Sequence, residues 1–114
     1  MVDSFKASVI ENKKLLDIEK KQRIKAVFLR NKFLGEWASS ILGLNTNEKK
    51  IYIKKVIKVD NEYNDKKVII RLIEKDFKKL KINISFKEIQ FKINDFNLEA
   101  KVILENKFKL NNWK

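Results

Sequence analysis

The apolar positions of this 114-residue chain follow a helical period most clearly near its C-terminal end. Apolar residues recur there at alternating spacings of three and four, which is the pattern of an amphipathic helix. They are Phe86, Ile89, Ile93, Phe96, Ala100 and Ile103. Ser85 and Glu88 have the spacing of a capping box, so this helix is predicted to begin beside Ser85 and to end near Asn106.

Two shorter helices are predicted before it. One covers about 65–81, where Asn64 and Asp65 can act as caps. Its apolar stripe consists of Ile69, Leu72, Ile73, Phe77 and Leu80. The other covers about 47–62, with Thr46 or Asn47 as its cap. The apolar positions of this helix are Tyr52, Ile53, Val56, Ile57, Val59 and Tyr63.

The stretch 51–59 has a competing interpretation. Its sequence, IYIKKVIKV, is rich in β-branched residues and partly alternates between apolar and polar, which favours a strand. A hairpin would need turn residues, and no glycine lies near this stretch. We therefore expect a helix and keep the strand as the alternative.

The first long helix is predicted to run from Asp17 or Glu19 to Leu42. Its broad apolar stripe consists of Ile24, Val27, Phe28, Leu34, Ala38, Ile41 and Leu42. Gly35 lies inside this stripe, although a glycine within a helix costs about 1 kcal/mol relative to alanine. Together with Ala38 it leaves a notch that another helix can approach closely.

The sequence also indicates where this helix ends. Gly43 is placed to supply the left-handed residue that ends many helices, and Leu44 can then fold back onto the last turn. Phe33, Trp37 and Leu44 project from a second side of the helix. We therefore expect this helix to be central and to pack against more than one neighbour.

Residues 1–20 form no clean helical stripe. Val9, Ile10, Leu15, Leu16 and Ile18 are apolar, and Lys13, Lys14, Lys20 and Lys21 interrupt the pattern. The segment is either a marginal helix or a mobile arm. It is either a frayed terminus without a role or an arm that folds onto a partner.

These elements predict an all-α fold, a four-helix bundle with a mobile N-terminal segment. The absence of proline and the presence of only two glycines favour long helices over a turn-rich β fold. The chain is divided into a candidate arm at 1–20, a bundle at 21–106 and a basic tail at 107–114. Apolar runs of only a few residues predict no membrane insertion, and we expect a cytoplasmic protein.

The composition limits the chemistry that the chain can perform. It contains no histidine and no cysteine, which removes the commonest general base and the usual metal ligands. Two glycines cannot form a glycine-rich phosphate loop. The carboxylates Asp60, Glu62, Glu74 and Asp76 are interpreted as members of solvated, lysine-rich faces. We therefore expect no enzyme, no metal site and no cofactor.

The net charge of +12 suggests an acidic partner, although a lysine-rich solvated surface has the same composition. One class of partner is nucleic acid, which a basic series on the first helix could contact through phosphates. That series consists of Lys20, Lys21, Arg23, Lys25, Arg30 and Lys32. Because no recognised nucleic-acid module is present, a nucleic-acid-binding protein is the alternative function.

A resemblance to a known family favours another function. The run RNKFLGEWASSILGL over 30–44 is similar to the signature of the zeta subunit of alphaproteobacterial ATP synthase, an ATPase inhibitor. The matching positions are Arg30, Asn31, Lys32, Leu34, Gly35, Trp37, Ala38, Leu42, Gly43 and Leu44. Weaker similarity in helix lengths and turns continues to about residue 105. These motif residues are expected to be mainly structural.

The resemblance implies an all-helical regulatory subunit that binds the catalytic head of F-type ATP synthase. In the family the N-terminal segment inserts between the catalytic α and β subunits, near the γ subunit, and blocks rotation in the hydrolytic direction. The resemblance also implies that the protein is peripheral to the inner-membrane ATP synthase. Adenine nucleotides have also been linked to the family, but no residue of this chain places a site for them.

The resemblance also assigns candidate residues in the arm, where this chain departs from the family. The acidic DDRE run of the family arms is absent, whereas Phe5, Arg23, Lys25 and Ala26 are retained. The candidate partner-binding residues are Phe5, Ile10, Leu15, Leu16, Ile18, Lys20, Lys21 and Arg23.

Overall fold

The computed structural model describes the backbone of residues 2–112 and the side chains of residues 16–107. Across that described backbone there are four α-helices and no strand. The helices are α1 (Val2–Ile41), α2 (Thr46–Tyr63), α3 (Lys66–Lys79) and α4 (Phe86–Asn112). The predicted all-α fold is confirmed, and the stretch 51–59 is helical.

The four helices pack in a cyclic order. Helix α1 lies against α2 and α4, and α3 completes the bundle by contacting the same two helices. The central core cluster is almost entirely aliphatic and contains residues from every helix. Its members are Leu34, Ala38, Tyr52, Val56, Ile69, Ile70, Ile73, Phe77, Ile89 and Ile93. Burial of these side chains is the main source of stability for a bundle of this size.

Helix α1 is longer than the sequence pattern predicted. No proline or glycine precedes Gly35, so nothing interrupts the backbone helix between Val2 and the motif. The candidate arm therefore continues into the bundle helix without a break. The side chains of Phe5, Ile10 and Leu15 lie outside the described residues, and movement of the arm relative to the bundle stays a prediction. Helix α4 likewise continues to Asn112, beyond the end predicted near Asn106.

The connections between helices are closed by short-range hydrogen bonds. Asn45 caps α2 by accepting from the Glu48 amide at 2.9 Å, and the Glu48 carboxylate accepts from the Asn45 amide at 3.1 Å. The cap predicted at Thr46 or Asn47 is therefore wrong by one or two positions. The Asx side chain has to precede the first helical residue, which is Thr46.

The caps of α3 and α4 lie where the sequence predicted them. Asp65 accepts from the Lys67 amide at 2.9 Å, and Ser85 accepts from the Glu88 amide at 3.2 Å. Asn64 has a different role from the one predicted, because its left-handed backbone (φ 50°) ends α2 instead of starting α3.

Both glycines have the structural roles expected of them. Gly43 has φ 72°, and the Leu44 amide donates to the Ser39 carbonyl at 3.1 Å, which closes the end of α1. At Gly35 a Cβ atom would lie 3.0 Å from the Cα atom of Ile53. The notch on α1 is thus occupied by the backbone of α2.

Four residues assigned to the apolar positions of the helices are exposed instead. Their exposed fractions are 61% for Ile24, 51% for Phe28, 57% for Leu80 and 61% for Tyr63. On α1, the buried row continues through Ala26 and Arg30, so the face that carries Ile24 and Phe28 turns towards solvent. Leu80 lies beyond the end of α3 and does not continue its stripe.

Candidate functional site

A buried polar cluster joins α1 to α2. It consists of Arg30 and Asn31 on α1 and Asp60 near the end of α2, none of them more than 5% exposed. The Asn31 Nδ2 donates to Asp60 Oδ2 at 2.8 Å, and Arg30 Nη2 lies 3.3 Å from the same oxygen. The Arg30 Nε donates to Asn31 Oδ1 at 3.1 Å. Each of the three side chains therefore has a partner within the cluster.

This cluster corrects two sequence-based assignments. Arg30 was counted in the exposed basic series and Asp60 among solvated carboxylates, but the two form a buried ion pair. Burial lowers the pKa of the Arg30 guanidinium, while the negative charge of Asp60 raises it. Neither group is available to a phosphate or a metal. The arrangement fixes how α1 and α2 pack together.

A second polar contact joins α2 to α3. The Tyr52 hydroxyl donates to Asp76 Oδ2 at 2.9 Å, and Tyr52 is 7% exposed. Burial raises the pKa of the Tyr52 phenol well above its ordinary value, and the charge and hydrogen bond of Asp76 raise it further. Asp76, which the sequence placed on a solvated face, thus has a defined structural partner.

The motif tryptophan connects α1 to the other side of the bundle. The Trp37 ring meets Phe77 of α3 edge to face, with 5.7 Å between ring centroids. Lys92 of α4 places its Nζ 5.9 Å from the centre of the Trp37 ring. Around it Leu34 and Ala38 are fully buried, Leu42 and Leu44 are half-buried, and Lys32 is exposed.

The candidate arm residues within the described side chains are all exposed. Leu16 is 60% exposed and Ile18 is 44% exposed, and Lys20, Lys21 and Arg23 also face solvent. Among the described side chains of α1, which begin at Leu16, the first buried one is Ala26. This end of the helix therefore carries apolar side chains that the bundle does not cover.

A second surface, the α1–α2 groove, was not predicted from the sequence. Its floor is formed by Phe28, Ile53 and Ile57, and it encloses about 740 Å³. The lysines of its rim are Lys32, Lys50, Lys54 and Lys58. A sequence signal existed, since positions 50, 53, 54, 57, 58 and 61 share one helical face. Phe28 was instead assigned to the core.

The described residues also show what the fold does not contain. Among residues 2–112 no helix is long and apolar enough to cross a bilayer. Among the side chains of residues 16–107, no group of three or more acidic, histidine or cysteine residues is arranged to hold a metal ion.

Comparison with known proteins decides the family. The sequence model of the family described as ATPase inhibitor subunit zeta matches residues 4–102. The chain belongs to this family. The zeta match covers the arm, the tryptophan motif and most of the bundle, so it extends far beyond the local resemblance at 30–44. Searches of curated proteins and of solved structures returned no match.

Membership of the zeta family relates these structural features to a function. An inhibitor-subunit family indicates a regulatory protein that acts on ATP synthase. The buried residues of the motif, among them Leu34 and Ala38, then hold the helices together. The exposed residues Leu16 and Ile18 of α1 and the α1–α2 groove are two of the surfaces that a partner can reach.

Proposed function

We propose that this protein binds the catalytic head of F-type ATP synthase and inhibits ATP hydrolysis through residues 1–20. The proposal is carried by the zeta match over residues 4–102, which includes nearly all of that segment. The exposed apolar side chains of Leu16 and Ile18, which precede Ala26, the first buried residue among the described side chains, support it. Such a segment gains apolar burial only by contacting another protein.

The proposed mechanism is insertion of the arm between subunits. Leu16 and Ile18 would be buried between the catalytic α and β subunits, close to γ, together with Phe5, Ile10 and Leu15. Lys20, Lys21 and Arg23 would meet acidic surface on the β subunits. The bundle would remain outside as a stop, and the inserted arm would obstruct rotation in the hydrolytic direction.

The location and ligands follow from this mechanism. The protein would be peripheral to the inner-membrane ATP synthase, on its cytoplasmic side. Inhibition by a wedge requires no cofactor of its own, because the energetic contribution comes from burial at the interface. An adenine nucleotide is compatible with the family, but no described residue is assigned to it.

The test uses ATP synthase from the same organism, purified and stripped of this subunit. Adding the full-length protein is expected to lower ATP hydrolysis, whereas a version lacking residues 1–16 is not. A double substitution, Leu16→Ser with Ile18→Ser, should weaken inhibition at least tenfold. The matched control is Leu98→Ser with Val102→Ser, which removes two similarly exposed apolar residues from α4.

Two results would contradict the proposal in different ways. Binding without inhibition would keep the partner and reject the arm mechanism. No binding to ATP synthase, together with salt-sensitive binding to DNA or RNA, would favour the nucleic-acid alternative. The burial of Arg30 removes one member from the basic series on which that alternative depends.

A further inference from the structure

The α1–α2 groove has an apolar floor and a charged rim. Phe28 is 51% exposed at its floor, and Ile53 and Ile57 of α2 lie beside it. The α1 positions 28, 32 and 36 lie on the side of the helix roughly opposite its buried row. The groove is therefore on the outer side of the α1–α2 pair, away from the core shared with α3 and α4.

The shape of the groove follows from the close contact at Gly35. Because the backbone of α2 reaches to within contact distance of Gly35, the two helices form one continuous surface. The valley between two such packed helices accepts the side chains of a third helix. Its floor residues Ile53 and Ile57 are one turn apart, which suits apolar positions spaced by three and four.

The rim of the groove gives it a positive charge. Lys32, Lys50 and Lys54 have no carboxylate within 4.0 Å among the described side chains. Lys58 is the rim lysine that has such a partner, Glu62, at 4.0 Å. The remaining acidic residue of the rim is Glu36, so the lysines outnumber the carboxylates. The rim thus favours an occupant with acidic flanks.

We propose that the α1–α2 groove binds an acidic amphipathic helix of the partner protein and anchors the bundle to it. Apolar side chains of that helix would contact Phe28 and Ile57, and its flanking carboxylates would meet Lys50 and Lys54. This deepens the proposed function, on which it rests, by adding a second contact surface beside the arm. The arm would obstruct rotation, whereas the groove would contribute affinity.

Neither terminal segment has the composition of a suitable occupant. Residues 1–16 contain Lys6, Lys13 and Lys14 against Asp3 and Glu11, so the arm is not acidic. The C-terminal tail at 107–114 contains lysines and no carboxylate side chain. A nucleic-acid backbone could meet the lysines, but it would leave the apolar floor without complementary contacts.

The first test measures the groove without ATP synthase. The probe is a designed 18-residue helical peptide with leucines on one face and glutamates on both flanks, labelled for fluorescence anisotropy. Lys50→Glu with Lys54→Glu, and separately Phe28→Ser, should each weaken binding to the full-length protein at least tenfold. A peptide with lysines in place of the glutamates should not bind.

Matched controls separate the groove from general charge and hydrophobicity. Arg71→Glu with Lys75→Glu makes the same charge change at two exposed positions one turn apart on α3. Phe91→Ser removes an equally exposed phenylalanine from α4, where it is 60% exposed. Both controls should bind the peptide within twofold of the unchanged protein. Circular dichroism should show that every variant keeps the helical fold.

The second test uses ATP synthase stripped of this subunit. The groove variants should bind it at least tenfold more weakly, yet reach full inhibition at saturating concentration because their arm is intact. If they bind both enzyme and peptide normally, the groove inference fails and the proposed function stands. If the peptide binds in the groove but the protein does not bind ATP synthase, the proposed function fails and ATP synthase is rejected as the groove's partner, whereas the preference of the groove for an acidic helix stands. Absence of peptide binding, or binding of duplex DNA instead, overturns the inference.

Discussion

Arg30 and Asp60 form an ion pair 3.3 Å long across the α1–α2 interface, with each side chain 6% exposed. Asn31 donates to the same carboxylate oxygen at 2.8 Å. A buried pair of this kind contributes little net stability compared with an apolar pair, but the loss of one partner leaves a buried charge uncompensated. The relationship between these two residues is therefore best tested by removing one of them.

Asp60→Ala is expected to lower the free energy of unfolding by about 3 to 5 kcal/mol, because Arg30 would remain charged and buried. Urea denaturation followed by circular dichroism measures this change. Glu62→Ala is the control: its side chain is 53% exposed, and the loss should stay within about 0.5 kcal/mol. Equal effects of the two substitutions would show that the buried pair does not hold α1 against α2.

Tyr52 is expected to make stability fall as the pH rises above about 10, the ordinary pKa of a tyrosine. In the folded protein burial and Asp76 raise the pKa of the phenol, so it keeps its proton there. The unfolded chain releases that proton, and the folded state, which binds more protons, loses stability with increasing pH. Below about pH 10 the phenol keeps its proton in both states, so the contribution of Tyr52 to the free energy of unfolding is fully present.

The measurement is the free energy of unfolding between pH 7 and pH 11 for the unchanged protein and Tyr52→Phe. The substitution should cost about 1 kcal/mol at pH 7, because Asp76 loses a hydrogen bond. It should also reduce the decline above pH 10. Tyr63→Phe on the same helix, 61% exposed, serves as the matched control for loss of a phenol. An unchanged decline in Tyr52→Phe would reject the assignment.

Gly35→Ala is expected to destabilise the bundle by about 1 kcal/mol, although alanine is the better helix former. The new Cβ would lie 3.0 Å from the Ile53 Cα, which is backbone and cannot move without shifting α2. Overpacking of this kind costs about 1 to 3 kcal/mol, against a propensity gain of about 1 kcal/mol. Thermal unfolding measures the net change in stability. A stabilised variant would show that α2 can shift away from the new Cβ atom at little cost.

The fold could be predicted because its signals are local. The Ser85–Glu88 cap and the apolar period of α4 lie within single turns, and Gly43 marks the end of α1 by its own conformational freedom. The same locality explains the small error at Asn45, since neighbouring polar residues compete for one cap position. Periodicity therefore predicts elements well and their ends less well.

The functional surfaces were harder to predict because they depend on contacts between distant residues. Arg30 and Asp60 are 30 positions apart and have the composition of a solvated surface, so only the packing of α1 on α2 identifies them as buried. Phe28 was read as core because its apolar character fits a broad stripe, yet it lies on the groove floor. The arm could be located from the sequence because its apolar residues form no clean helical stripe. Its proposed role was inferred from the family.

Deletion of residues 1–16 is expected to leave a cooperatively folded bundle. The described side chains of α1 are exposed from Leu16 to Lys21, and the first buried residue is Ala26. The core cluster begins later still, at Leu34. Removing a helical segment ahead of these residues should therefore change the free energy of unfolding by no more than about 1 kcal/mol.

Urea denaturation of the shortened and full-length proteins provides the measurement, with circular dichroism and the fluorescence of Trp37 and Trp113 as independent probes. Coincident transitions with similar midpoints would show that the bundle folds without its arm. Loss of cooperativity, or a fall of several kcal/mol, would mean that the arm contributes to the core. A folded, arm-deleted protein would also make the inhibition assay decisive, because its failure to inhibit could then be assigned to the missing segment and not to unfolding.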